Sequence, residues 1–191
     1  MTGTAVVELR PEHCAALAGF FAALPEGDLM YIKEDVTDPG VVQSWTGEDA
    51  GGRRWLAVTG ADDADAGARE VVGYLAVRRL PGWSDHVGEV RLVVAPAARG
   101  TGLGRRLARH ALAYAVESGM SKLVVEVVAE QGAALALFTD LGFNGEALLE
   151  DHIRDRQGQL RDLLVLAHHV RRTWSSMETI GLPEALGQDP G

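Results

Sequence analysis

Cysteine is almost absent from this 191-residue chain: Cys14 stands alone. A single cysteine closes no disulfide within the chain and builds no cysteine-based zinc site. Cys14 falls on an apolar helical stripe with Leu17, Phe21 and Leu24, which reads as a small buried hydrophobe rather than a nucleophile. Lysine is nearly as scarce, supplying two of the eighteen basic residues, while alanine, glycine and arginine abound. That bias looks like the product of a GC-rich bacterial genome. No apolar run approaches the ~18 residues that a membrane-spanning helix needs. No basic region followed by an apolar run opens the chain, so no secretion signal is read. These absences point to the cytoplasm. The net charge of −9 disfavours nonspecific binding to nucleic acid. Neither nucleic acid nor a membrane is an expected partner; a homodimer is compatible with the sequence.

The charge that is present is uneven. Residues 25–50 hold Glu26, Asp28, Glu34, Asp35, Asp38, Glu48 and Asp49 against Lys33 alone. Residues 99–110 carry Arg99, Arg105, Arg106 and Arg109 with no acid among them. The basic region suits an anionic cofactor. The acidic one either favours a cationic partner or is a solvated loop. Within the basic stretch, Gly100, Gly102 and Gly104 stand between an apolar strand ending at Pro96 and the start of a helix. Glycines lack Cβ, so their N–H groups can approach an anion closely. The helix start adds orphan N–H donors and partial positive charge. This backbone suits a pyrophosphate. A Walker loop would need Gly-Lys-Ser/Thr, and no lysine is here. A dinucleotide fingerprint would need a third glycine where Arg105 stands.

The length fits one domain able to bury roughly 70% of its unfolded surface. Residues 4–10 read as a strand, and Pro11 opens a helix to about Leu24, apolar at positions 14, 17, 20, 21 and 24. Residues 25–40 read as irregular and 41–46 as a short helix. Strands over 54–59, 70–79 and 87–95 make a meander of hairpins, with an acidic turn at 60–69. A helix over 102–119, apolar at 103, 107, 111 and 115, ends at Gly119. Residues 122–128 form a β-branched strand, which implies a parallel pair with a right-handed crossover. A helix over 131–141 follows, then strands over 147–154 and 160–168 joined by a Gln157-Gly158 turn. The expected organisation is a domain over 1–170 and a polar tail over 171–191.

The spacing Arg99-x-x-Gly102-x-Gly104 after a Val-Val-x-Pro strand end resembles the acetyl-coenzyme A (acetyl-CoA) motif of the GNAT N-acetyltransferase superfamily. The run Ala134-Leu-Ala-Leu-Phe-Thr-Asp-Leu-Gly-Phe143 resembles that family's fourth-helix signature. The order of elements is similar as well. The resemblance implies an α/β (mixed α+β) GNAT fold: a central, mixed, mostly antiparallel sheet with a splayed parallel strand pair, flanked by helices. It implies acetyl-CoA as cosubstrate in the splay. By position, Leu92, Val93 and Val94 would offer backbone groups to the pantetheine arm. The N–H near Val94 would face the thioester carbonyl, where charge develops during attack. Gly100, Thr101, Gly102, Leu103, Gly104 and Arg105 would hold the pyrophosphate. Arg99 lies at the family's Gln/Arg position opening the loop. Arg106 and Arg109 are candidates for the adenosine phosphates, or for a solvated helix face. Gln131 stands where the family has a helix-opening Asn, and Phe138 where it usually has Tyr.

The implied reaction is attack of an amine on an acyl thioester. An alkyl ammonium with a pKa near 10.4 is only roughly 0.04% neutral at pH 7, so a base would help. Glu126 is the first candidate, a lone carboxylate inside a run of Leu and Val. Some ribosomal-protein acetyltransferases of the family use a glutamate at this place as base. Glu89 is the second, although Arg91 on the same face would neutralise it. Phe138 has no proton for the leaving thiolate, whose conjugate acid near pKa 8.5 makes it a tolerable leaving group unaided. Tyr31 or Tyr74 would be the substitutes. The acceptor should meet Tyr31, Glu34, Asp35, Trp45, Trp83 or His86. His168-His169 lacks a third ligand at metal spacing, so no metal site is expected. The expected function is an N-acetyltransferase moving an acetyl group from acetyl-CoA to a primary amine of a small molecule or protein. Polyamines, aminoglycosides and lysine side chains lead the acceptors because of the acidic run. The alternative is a noncatalytic acyl-CoA-binding regulatory module, and the acidic balance disfavours a tRNA- or ribosome-directed enzyme.

Overall fold

The computed structural model describes residues 3–29, 32–47, 51–60, 70–155 and 157–170. Seven strands form one sheet: β1 (Ala5–Glu8), β2 (Arg53–Val58), β3 (Val71–Arg79), β4 (Val87–Val94), β5 (Lys122–Val128), β6 (Asn144–Arg154) and β7 (Leu160–His169). Their order across the sheet is β1-β2-β3-β4-β5-β7-β6, and only β4 and β5 run parallel. The fold is the mixed, mostly antiparallel α/β arrangement expected.

Alternation along the strands sorts two cores. Trp55, Ala57, Leu75 and Val77 point to one face, Leu56, Val58, Tyr74 and Ala76 to the other. Because both faces are covered, these strands read as near-continuous apolar runs. The first face carries α4 (Leu103–Glu117) and α5 (Gly132–Asp140). The stripe of Leu103, Leu107, Ala111 and Ala115 is buried there, while Arg106 and Arg109 stay in solvent. Gly119, at φ +72°, ends the helix in the left-handed conformation. The second face carries α1 (Cys14–Ala22), α2 (Glu26–Leu29) and α3 (Pro39–Ser44), packed through Leu17, Phe20, Phe21 and Val42.

Two local readings change. The segment over 25–40 is not wholly irregular, since it contains α2. The short helix over 41–46 begins earlier, as α3 at Pro39: the Asp38 side chain accepts from Gly40 N at 2.8 Å, and Pro39 presets the first helical φ. The acidic stretch 61–69 and the tail 171–191 lie outside the described residues.

Candidate active site

Parallel pairing of β4 with β5 covers only Val87–Val90 against Lys122–Val125. Beyond that point β4 stays bonded to β3 as far as Val94, and β5 stays bonded to β7 as far as Val128. Each strand follows its other neighbour, so the pair splays. The gap opens into an outer cleft of about 610 Å³ and an inner cavity of about 80 Å³. Ile32, Leu92, Val93, Gln131 and Ala134 line both, so the two adjoin.

The outer cleft is a backbone site. Leu92, Val93, Val94, Arg99, Gly100, Gly102, Gly104 and Arg105 all line it. Gly100 and Gly102 hold φ of +74° and +84°, where a side chain would be strained. Gly102 caps α4, and the first intrahelical bond runs from Arg106 N to Gly102 O. The N–H groups of Leu103, Gly104 and Arg105 therefore have no helical acceptor. A Cβ on Gly104 would come 3.2 Å from Leu137 Cδ2, so glycine lets α4 approach α5. The Leu103 side chain is buried in the core, so only its backbone can serve the cleft. Thr101 Oγ1 donates to Ala98 O at 2.7 Å and tightens the loop. Arg99 donates through Nε to Val94 O at 3.2 Å, and its guanidinium pairs with Asp28 at 2.8 Å. Arg105 pairs with Asp140 at 2.8 Å. Exposed pairs of this kind are worth little, so an anion in the cleft can recruit both arginines.

The inner cavity is a side-chain site. Glu89 is 4% exposed; its Oε2 accepts from Arg78 Nε and NH2 at 3.1 and 2.7 Å, and its Oε1 from Arg91 at 2.7 Å. Burial alone would raise its pKa. The charges of Arg91 and Arg78, the Arg78 hydrogen bond and Lys33 more than reverse this, and its carboxyl is held below the usual carboxylate range. Glu126 differs. Strand alternation buries Val125 and Val127 and leaves the Glu126 side chain 31% exposed at the cavity wall. Its carboxylate meets Lys33 Nζ at 3.2 Å, and the same ammonium lies 3.7 Å from Glu89 Oε1.

Tyr74 also lines this cavity, stacked on Trp45 with ring centroids 5.2 Å apart. Burial raises its hydroxyl pKa far above the usual value, against the opposing charge of Arg54. Phe138 lines the inner cavity and packs edge-on against Phe143. Gln131 caps α5, and its Oε1 accepts from Val128 N at 3.2 Å. A third, polar opening of about 270 Å³ shares Ile32 and Glu34 with the inner cavity and includes Lys33, Asp35 and Arg154.

Glu34, Trp45 and Asp35 lie where an acceptor contact was expected. Trp83 and His86 do not: both are exposed on the β3–β4 turn, at the end of β4 opposite the splay. Tyr31, Glu48 and Asp49 fall outside the described residues. Three described members of the acidic run are engaged. Asp28 pairs with Arg99, Glu34 lies 3.7 Å from Arg91, and Asp38 caps α3. Lys33, Arg78 and Asp28 were not anticipated in the site. Strand register and a chain crossing bring them there, and neither leaves a local signal in the sequence. Among the described residues, no group of three His, Cys, Asp or Glu side chains could hold a metal, and no helix is long and apolar enough to cross a membrane.

The chain is similar to known proteins. Streptothricin acetyltransferase of Streptomyces lavendulae is 32% identical over 129 residues, covering 61% of this chain and 64% of that protein. A mycothiol acetyltransferase of Amycolatopsis mediterranei is 45% identical over 60 residues, covering 31% of this chain and 20% of its own length. The chain thus spans less than two-thirds of these relatives. Among solved structures, yncA of Salmonella typhimurium with its cofactor acetyl-CoA superposes with a TM-score of 0.72 at 20% identity, over 87% of this chain and 94% of that one. That likeness speaks for the fold. The model of the acetyltransferase (GNAT) family matches residues 23–143, both walls of the splay included, and the chain belongs to that family.

Proposed function

We propose that this protein transfers an acetyl group from acetyl-CoA to a primary amine. The observation that carries the reading is the pair of adjoining cavities, with an anion-binding loop at one end and a cavity-lining carboxylate at the other. The outer cleft fits acetyl-CoA: orphan N–H groups at the start of α4, Arg99 and Arg105 meet its phosphates, and Leu92–Val94 accompany its arm. Bound there, acetyl-CoA supplies a thioester whose carbonyl carbon the amine attacks. The nitrogen–carbon bond forms, the carbon–sulfur bond breaks, and the amine must shed a proton.

Glu126 takes that proton. It lines the inner cavity and is partly exposed, whereas Glu89 is committed to two arginines. Glu89 holds Arg78 and Arg91 in place instead. Phe138 contributes shape and no proton, so thiolate leaves with help from solvent or from Tyr74, which burial keeps protonated. The noncatalytic acyl-CoA-binding alternative draws on Phe138 and Gln131; the partly exposed Glu126 carboxylate in the cavity wall favours the catalytic reading. Thiol release from acetyl-CoA with a panel of primary amines tests the choice. Release with at least one amine, rising with pH as more of it is neutral, is expected. Binding of acetyl-CoA without release by any amine would favour the module.

A further inference from the structure

Lys33 occupies an unusual place for one of only two lysines in the chain. Its ammonium sits between Glu126 and Glu89, both of which line the inner cavity. Three cations (Lys33, Arg78, Arg91) and three carboxylates (Glu34, Glu89, Glu126) form one linked cluster. With Lys33 in place the cluster is neutral. With Lys33 withdrawn it carries one uncompensated negative charge, centred on Glu126. The two arginines cannot supply the difference, because both are bonded to Glu89.

We propose that the Glu89–Glu126 pair is the seat of the acceptor's ammonium group, and that Lys33 is its built-in occupant in the resting protein. This rests on the acetyltransferase reading above. The Lys33 side chain is 57% exposed, and a flexible four-carbon stem lets it swing into water. Its neighbour Ile32 lines the outer cleft, the inner cavity and the polar opening, so Lys33 stands where they meet. The polar opening, which Lys33 also lines, leads the acceptor in. The incoming ammonium replaces that of Lys33 one charge for one, against the carboxylate that receives its proton. The inner cavity, at about 80 Å³ and walled by Trp45, Tyr74 and Phe138, admits a slim alkyl chain behind that ammonium. The favoured acceptor class is therefore a primary alkyl ammonium on an unbranched stem, which must out-compete Lys33.

n-Butylamine, one ammonium on an unbranched stem, is the probe, with thiol release read at saturating acetyl-CoA. Its KM is measured, or its Ki against the best amine of the panel where another amine is the substrate. Lys33→Met and Lys33→Gln should lower that constant about fivefold, since an exposed competing pair is removed. Lys33→Arg, which keeps the cation, should leave it near the wild-type value, and the KM for acetyl-CoA should not move in any of the three. An unchanged or raised constant in both neutral variants overturns the proposal, as does an equal drop in Lys33→Arg. Thiol release with amines but no response to Lys33 would sink this inference alone. No release with any amine would sink the acetyltransferase reading and this one with it.

Discussion

The two ends of the site are built in opposite ways. At the outer end, the loop from Arg99 to Arg105 is contiguous in sequence and presents main-chain N–H groups fixed by two left-handed glycines and a helix start. At the inner end, Lys33, Arg78, Glu89, Arg91 and Glu126 arrive from three strands and one loop and meet as charged side chains. A backbone site is rigid and indifferent to what lies at the far end of its ligand. A network of ion pairs can exchange one member for another. On the function proposed above, the first kind of end suits the common cosubstrate and the second suits a choice among acceptors.

Breaking the outer end should have the largest effect. Gly102→Val with Gly104→Val forces a β-branched residue into φ +84° and a side chain toward Leu137. Calorimetry should show acetyl-CoA affinity falling about a hundredfold or more, ~2.7 kcal/mol, with circular dichroism unchanged. Unaltered affinity in the folded double variant would remove the loop from the site. At the inner end, Glu126→Gln should cut kcat about a hundredfold while acetyl-CoA binding persists, because the proton acceptor is lost and the outer cleft is untouched. If kcat were kept, the base would lie elsewhere.

Smaller effects separate scaffolding from chemistry. Glu89→Gln leaves Arg78 and Arg91 without their shared carboxylate. Discounting for the half-exposed Arg78, chemical denaturation should show a loss of about 1–3 kcal/mol. Glu89 has a lowered folded pKa, so its contribution is complete above the unfolded value near 4.3 and is lost as pH falls through the folded one. The loss in Glu89→Gln should therefore shrink in acid; a loss that persists at the lowest pH would point to packing rather than charge. Smallest of all, His168 is 3% exposed, and neither ring nitrogen has a hydrogen-bond partner. Burial, then the neighbouring His169, lowers its pKa. A depressed histidine takes its proton more readily when unfolded, so stability is complete above about pH 6.5 and declines below it. His168→Leu should flatten the fall in melting temperature between about pH 7.5 and 5.5, by an amount worth ~1 kcal/mol or less. A slope identical to wild type would assign the acid sensitivity to other groups, His110 among them.

Legibility followed the same division. The apolar stripe of α4, the β-branched run of β5 and the glycine loop were readable because each is a periodic or contiguous pattern. The helix start at Pro39 lies ahead of the expected one, and Asp38-Pro39, a cap followed by a helix-opening proline, is its local signal. Residue type alone suggests Trp83 and His86 as acceptor contacts. The direction of β4 puts them at the wrong end of the strand. The sequence already ranks Glu126 above Glu89, because Arg91 shares a strand face with Glu89. The register adds Arg78 opposite Glu89 and completes its commitment.

By itself, then, the sequence determined what depends on short range: period two or 3.6 in the apolar residues, left-handed turns where only glycine is comfortable, and a cluster of arginines with no acid among them. Those features settle the layering of the fold and the conformation of the glycine loop, because their physics acts within a few residues of chain. Tertiary structure alone decided how far β4 and β5 pair before parting, that Arg78 joins Arg91 on Glu89, and that Lys33 reaches across 93 positions to Glu126. Each of these is a competition between partners distant in sequence. Its outcome depends on distances of 3–4 Å that exist only once the chain has folded.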